Sequence, residues 1–241
     1  MIDEYDHITA THYRAYRPPI HEIILKRCID QKRNFTLGLD IGCGTGHSSV
    51  ALLNFSEHVI GIDPSADMLE NAIVNAAIEY QNFDGKTLKF DKDRFDIVTF
   101  AGSLHYSKSQ DLLDEAVRVS KTPGLIVVYD FEILLDDILD RFQFESQSQN
   151  TYDHAADFSG LRDSKISIIN KGKEKEQLSV TIGDLAHLLL SVKEQHIFFE
   201  KRFGPNELHR KLSDHLAEIT DSMSFKIEAD LYFKCYEISR K

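Results

Sequence analysis

The chain has 241 residues, enough for one domain with an insertion or for one large and one small lobe. Its 42% hydrophobic content is ordinary for a globular protein, and no apolar run approaches the ~18–20 residues of a membrane span, so no membrane partner is expected. With 28 Lys and Arg against 39 Asp and Glu the formal charge is −11, which argues against nucleic acid as a partner.

The acidic start, Met1–Asp6, lacks the apolar stretch of a signal peptide, so a cytoplasmic protein is expected. The three cysteines, Cys28, Cys43 and Cys235, are scattered and form no CxxC, which supports neither a disulfide framework nor a zinc ribbon. No HExxH or comparable spacing occurs, so no metal site is predicted.

Residues 3–34 read as helical, with Pro18–Pro19 breaking the pattern and opening a helix at Ile20. Thr36–Ile41 is a first strand, Ser48–Asn54 a helix, and His58–Ile62 a second strand ending at Asp63. Pro64–Ser65 starts a helix through Met68, Leu69, Ala72 and Ile73. Ile78–Phe83 is a short third strand, Phe95–Ala101 a fourth bounded by Gly102, and Asp111–Val119 an amphipathic helix. Pro123–Gly124 reads as a turn before a fifth strand, Leu125–Phe131. Strands alternating with helices argue a parallel sheet with right-handed crossovers. Residues 141–176 are polar with few apolar runs, and 181–203 look helical. After Gly204–Pro205, a helix over Asn206–Met223 precedes a terminal pair of strands, Phe225–Ala229 and Leu231–Ile238.

The chemistry concentrates where the first strand stops, in Gly42–Cys43–Gly44–Thr45–Gly46. Glycine is needed where the backbone takes φ > 0 or approaches a ligand. A turn at the carboxyl edge of an open α/β sheet faces the ligand crevice. Both a dinucleotide and an adenosyl compound fit, since Asp63 at the end of the second strand could accept from ribose hydroxyls in either. Spacing discriminates. The third position of a GxGxxG fingerprint counted from Gly42 is His47, whereas here the glycines fall at 42, 44 and 46 with Asp40 before them. Cys43, in a turn that needs small residues, reads as packing.

The ordered segments LDIGCGTG, VIGIDPSADML and FDIVTFAGSLHY resemble the class I S-adenosylmethionine-dependent methyltransferases. The resemblance covers roughly residues 8–131 and is strongest to the small-molecule group that includes methyltransferase type 11 and trans-aconitate methyltransferase-like proteins. It implies an α/β fold: a Rossmann-like, mostly parallel seven-stranded sheet with helices on both faces, an N-terminal helical lid and a helical insertion after strand five. One methyltransferase domain over 1–241 is expected, with its core at about 35–131 plus 205–241, a lid at 1–34 and an insertion at 132–204.

The resemblance further implies S-adenosyl-L-methionine as cofactor and S-adenosyl-L-homocysteine as product. Asp40 and the turn of Gly42, Cys43, Gly44 and Gly46 would face the methionine portion. Asp63 would bind the ribose diol with Pro64 beside it, and Met68 would pack on the adenine. Asp84, followed by Gly85, would accept from the adenine amino group, although Phe83 stands where relatives often have Gly. Ala101, Gly102 and Ser103 would line the site below the sulfonium. The segment HYRAYRPPIHEIIL resembles a lid helix, with Tyr13 and Arg17 near the cofactor carboxylate or an acidic acceptor. Tyr106 replaces a commoner Trp.

Methyl transfer from a sulfonium needs mainly orientation and exclusion of water. A carboxylate acceptor needs no base. For a hydroxyl or amine, His105 is the candidate base. The acceptor pocket is expected from residues 132–203, where Tyr152–Asp153–His154 and Phe158–Ser159–Gly160 could reach the site. The expected partner is a small-molecule acceptor, in a monomer or homodimer. A cofactor-binding regulatory protein without turnover is the alternative.

Overall fold

A computed structural model describes residues 11–12, 15–16, 18–30, 32–84, 87–146, 151–162, 164–220 and 222–239. The strands are β1 (Phe35–Ile41), β2 (Ser56–Asp63), β3 (Ile78–Asn82), β4 (Phe95–Ala101), β5 (Ser120–Leu134), β6 (Ile166–Thr181) and β7 (Ser224–Ile238). They form one sheet in the order β3-β2-β1-β4-β5-β7-β6. β1, β2, β3, β4 and β5 pair in parallel. β6 and β7 run antiparallel: the Ser239 amide donates to the Lys165 carbonyl at one end (2.9 Å), and Lys175 pairs with Glu228 toward the other.

The register decides where a ligand can sit. Ile41 pairs with both Ile62 and Phe100, Asp63 with Asn82, and Ala101 with Tyr129. The carboxyl ends of β1, β2, β4 and β5 therefore share one edge, and the loops leaving it are neighbours.

Helices α1 (Ile20–Cys28), α2 (His47–Leu52), α3 (Ala66–Glu70), α4 (Leu104–Ser107) and α5 (Gln110–Val119) accompany the parallel strands. α1 follows Pro19 and buries Ile20, Ile24, Leu25 and Cys28 on one helical stripe. α5 buries Leu112, Leu113, Ala116 and Val117 against the core around Leu39, Phe95, Phe100 and Val128. Later in the chain come α6 (Asp136–Arg141), α7 (Ile182–Leu190), α8 (Lys193–Phe203) and α9 (Leu208–Glu218).

Four local expectations change. Pro123–Gly124 lies inside β5, not before it. The register steps from Phe95↔Ser120 to Ile97↔Leu125, so the extra residues bulge out of the ladder. β6 crosses the segment expected as a polar, helical insertion. Only Leu178 and Val180 of that strand are buried, so it has no alternating apolar signal, as suits a sheet edge. The helix expected over 181–203 is two, α7 and α8, broken at Ser191–Val192. The terminal pair of strands is the single strand β7.

The chain forms two compact units: Met1–Pro18, Ile133–Thr151 and Lys175–Asp230 in one, and Pro19–Glu132, Tyr152–Glu174 and Leu231–Lys241 in the other. In the first, the Phe142, Phe199 and Phe203 rings pack with His215. The same unit gathers four imidazoles. His12 Nδ1 lies 2.9 Å from His187 Nδ1, His187 stacks on His209 at 3.9 Å, and His196 lies 5.8 Å from His12 between ring centres.

Burial, then the neighbouring imidazoles of His187, His196 and His209, pushes His12 down to about 4. Burial and then His209 also lower His187. The unfolded chain therefore takes up more protons between its ordinary His value near ~6.5 and about 4. The stabilising contribution is complete above the ordinary value and is lost as pH falls through that window. Urea denaturation at stepped pH should show a shallower fall in stability for His12→Gln than for the parent chain; equal slopes would contradict this account.

Candidate active site

The glycine turn hangs on a buried carboxylate. Asp40, fully buried near the end of β1, accepts hydrogen bonds from Ser48 Oγ (2.6 Å), Ser49 Oγ (2.7 Å) and Thr99 Oγ1 (2.8 Å). Two donors stand in α2 and one in β4, so a single side chain joins three elements. Burial raises the Asp40 carboxyl above the usual carboxylate range, and the three hydroxyl bonds oppose that rise. Asp40 was expected to face a ligand; its carboxylate points instead into this closed set of hydroxyls.

The turn itself needs its glycines. Gly42, Gly44 and Gly46 have φ of 75°, 52° and 85°. A Cβ on Gly42 would meet Ser103 Cβ at 2.3 Å, and one on Gly46 would meet the Tyr80 hydroxyl at 2.0 Å. A Cβ on Gly44 would meet nothing within 4 Å among the described residues, so within them the turn opens there onto free space. The Thr45 hydroxyl beside it is buried with no hydrogen-bond partner among the described residues.

Asp63 stands at the rim of this space. Its Oδ2 accepts from the Gly44 amide (2.9 Å) and its Oδ1 from the Ser65 amide (2.8 Å). A carboxylate has about four lone-pair positions, so acceptor capacity remains. Pro64 is exposed and Met68 half-buried beyond it. Asn82 Nδ2 donates to the Asp63 and Pro64 carbonyls, and the Phe83 amide donates to Asp63 O. Exposed Asp84 follows Phe83 on the same edge. Cys43 is buried, which pushes its thiol well above the usual value and keeps it protonated. Tyr13, Arg17 and Gly85 lie outside the described residues.

A second constellation forms where β4 and β5 end. Ser103 Oγ donates to the Ile41 carbonyl (2.5 Å), pinning the loop after β4 to β1. Gly102 has φ 68°, and a Cβ there would lie 3.2 Å from Asp130 Oδ1. Asp130 Oδ2 pairs with His154 Nδ1 at 3.2 Å. Tyr152 donates to the Gly102 carbonyl at 2.6 Å, and its ring packs between His105 (4.4 Å) and His154 (4.6 Å). Burial works against a charged His154, but the Asp130 hydrogen bond and charge prevail and hold it above the usual imidazole value. Glu132 and Asp153 act in the same direction.

The two histidines differ in tautomer. The Asp153 backbone amide can only donate, so His105 Nδ1 accepts from it (3.1 Å) and a neutral His105 carries its proton on Nε2. Asp130 can only accept while ionised, so His154 carries a proton on Nδ1 and a neutral His154 leaves Nε2 free to accept. Asp130 escaped the sequence reading, although it ends an apolar strand run as Asp40 and Asp63 do. Thr99 carried no signal, since its partner Asp40 lies 59 residues away, and Ser48, Ser49 and Tyr80 carried none because no residue spacing marks them as donors there. Among the described residues no group of three or more His, Cys, Asp or Glu side chains could hold a metal ion, and no helix is long and apolar enough to cross a membrane.

Comparison with known proteins finds methyltransferases. Residues 39–128 match the methyltransferase domain family. A Bacillus subtilis protein described as the uncharacterized methyltransferase YcgJ is 30% identical over 136 residues, covering 54% of this chain and 51% of that protein. A Dictyostelium discoideum protein described as a methyltransferase is 27% identical over 126 residues, covering 51% of this chain and 47% of that protein. The chain thus spans about half the length of these curated relatives. A solved structure described as a type II methyltransferase from Anaeromyxobacter dehalogenans superposes with a TM-score of 0.65 at 14% identity, covering 94% of this chain and 100% of that one, a likeness of fold. The likeness to methyltransferases thus runs over residues 39–128 for the family model and over about half of the chain for these curated relatives.

Replacing Asp40 by Ala would leave three hydroxyls without their acceptor. At about 1 kcal/mol for each bond, Asp40→Ala should lose roughly 3 kcal/mol of stability in urea denaturation. A loss below about 1 kcal/mol would show that the joint carries little.

Proposed function

We propose that the protein transfers the methyl group of S-adenosylmethionine to a hydroxyl of a small-molecule acceptor. The observation that carries this reading is the space left open at Gly44 among the described residues, next to the Asp63 carboxylate that accepts from the Gly44 amide. The glycine turn would hold the methionine portion and Asp63 the ribose diol, with Pro64, Met68, Asp84 and Gly85 around the adenine. Ala101, Gly102 and Ser103 would floor the reacting end, and Tyr13 and Arg17 would approach the cofactor carboxylate. When bound, the cofactor supplies a methyl group on a positively charged sulfur, which keeps the bonding electron pair and leaves as S-adenosylhomocysteine.

The chain's own part is to orient the acceptor and take its proton. His105 was the expected base, but its free Nε2 is a donor in the neutral form. His154 suits the role better: Asp130 holds its Nδ1–H and leaves Nε2 to receive the hydroxyl proton. Tyr152, tied to the Gly102 carbonyl, fixes the distance between that base and the loop after β4.

Calorimetry with S-adenosylhomocysteine should show saturable binding that Asp63→Ala weakens tenfold or more, about 1.4 kcal/mol. No binding at ~1 mM would remove the proposal. Tight binding without transfer to any of a broad acceptor panel would favour the regulatory alternative. The pH dependence separates the bases. His154 accepts a proton only when neutral, so activity falls as pH drops through its raised value. Asp130→Asn should move that limb to lower pH, whereas an unmoved limb would exclude His154 as the base.

A further inference from the structure

Tyr80 stands in the middle of β3, at the edge of the sheet, and pairs in register with Gly61 of β2. Its ring fills the space that a side chain at Gly61 would need: a Cβ there would meet Tyr80 Cδ1 and Cys43 Sγ, each at 2.9 Å. The hydroxyl reaches on to the glycine turn and lies against Gly46, whose φ is 85°. There it donates to the Ile73 carbonyl at 3.1 Å. The Ile73 amide donates in turn to the Thr45 carbonyl at 3.0 Å. Ile73 is thus held by both backbone polar groups, one on the turn and the other on the side chain that presses on the turn.

Ile73 lies just beyond α3, the helix that carries Met68. The chain between them is folded back on itself: the Asn71 amide donates to the Met68 carbonyl (3.2 Å) and the Ala72 amide to the Leu69 carbonyl (3.1 Å). One phenol hydroxyl therefore ties the segment behind Met68 to the turn ahead of α2. An aromatic ring covering a glycine on the neighbouring strand is an ordinary cross-strand stabilising pair. That role needs the ring alone, and phenylalanine would fill it. The hydroxyl is the part that reaches Gly46 and Ile73. Burial, then the neighbouring Cys43 and Asp40, holds this phenol well above its usual value, so it remains a donor.

We infer that Tyr80 is a positioning residue whose hydroxyl fixes the Thr45–Gly46 end of the turn, and with it the grip on the amino-acid portion of an adenosyl ligand; this rests on the cofactor reading proposed above. Tyr80 acts through Gly46 and Ile73 and does not touch the ligand. In Tyr80→Phe the ring still covers Gly61, but the Ile73 carbonyl loses its donor and the volume of one hydroxyl opens beside Gly46. The turn relaxes toward that volume, and the groups it presents to the methionine portion move with it. Loss of one hydrogen bond in such a place is worth about fivefold in affinity.

Calorimetry on the full chain compares S-adenosylhomocysteine with methylthioadenosine, which keeps the adenosine and the sulfur but lacks the amino-acid portion. Tyr80→Phe should weaken S-adenosylhomocysteine about fivefold or more and methylthioadenosine less than about twofold. Tyr236→Phe is the matched control, since it removes another phenol hydroxyl, one on β7 that accepts from the Phe158 amide (3.2 Å). Urea denaturation should show both variants folded, and Tyr236→Phe should leave the ratio of the two affinities unchanged. Equal weakening of both ligands in Tyr80→Phe, or weakening of neither, overturns the positioning role while the cofactor reading stands. A ratio that shifts as far in Tyr236→Phe overturns it too. A parent chain that binds neither ligand at ~1 mM strikes the cofactor reading itself, and the positioning role falls with it.

Discussion

A buried carboxylate is costly unless every lone pair it turns inward finds a donor. Asp40 offsets much of that cost with three hydroxyls, from Ser48, Ser49 and Thr99. The consequence is geometric. β1 cannot shift against β4, and α2 cannot rotate away from β1, without breaking one of these bonds. The Gly42–Gly46 turn is the short segment between Asp40 and those serines, so its path is held from both sides. Ser103, bonded to the Ile41 carbonyl and pressed on Gly42, closes the other flank.

From that fixed turn the rest of the edge follows by register. Parallel pairing brings Asp63 level with the turn, and its two carboxylate oxygens accept from Gly44 and Ser65. The two acids flanking the turn therefore do different work. Asp40 is enclosed and structural, while Asp63 stands at the rim with acceptor capacity to spare. Two steps across the sheet from β1, Asp130 of β5 pairs with His154. The glycine turn, Asp63 and Asp130 thus gather on one sheet edge.

The constellation around His154 is assembled from pieces far apart in the chain. Tyr152 meets Gly102, His154 meets Asp130, and Tyr232 meets His154. A net charge describes the average surface, and a site is set by the few side chains that converge there.

The core strands, the glycine turn and the acids at 40 and 63 were legible in the sequence because they are local: apolar runs, positive-φ glycines and short spacings need no partner to be read. The same locality explains the misreadings. Pro123–Gly124 has turn chemistry in either setting, and only pairing with β4 shows it as a bulge. β6 is polar because it is an edge, so its sequence resembles a loop until β7 is found beside it. Whether Asp40 faces a ligand or the interior depends on Thr99, 59 residues away. His105 and His154 are alike as letters; the Asp153 amide and the Asp130 carboxylate give them opposite tautomers. The sequence alone determined where the glycine turn and its flanking acids fall, and tertiary structure decided which side chains meet there, because hydrogen-bond partners are chosen by space and not by order along the chain.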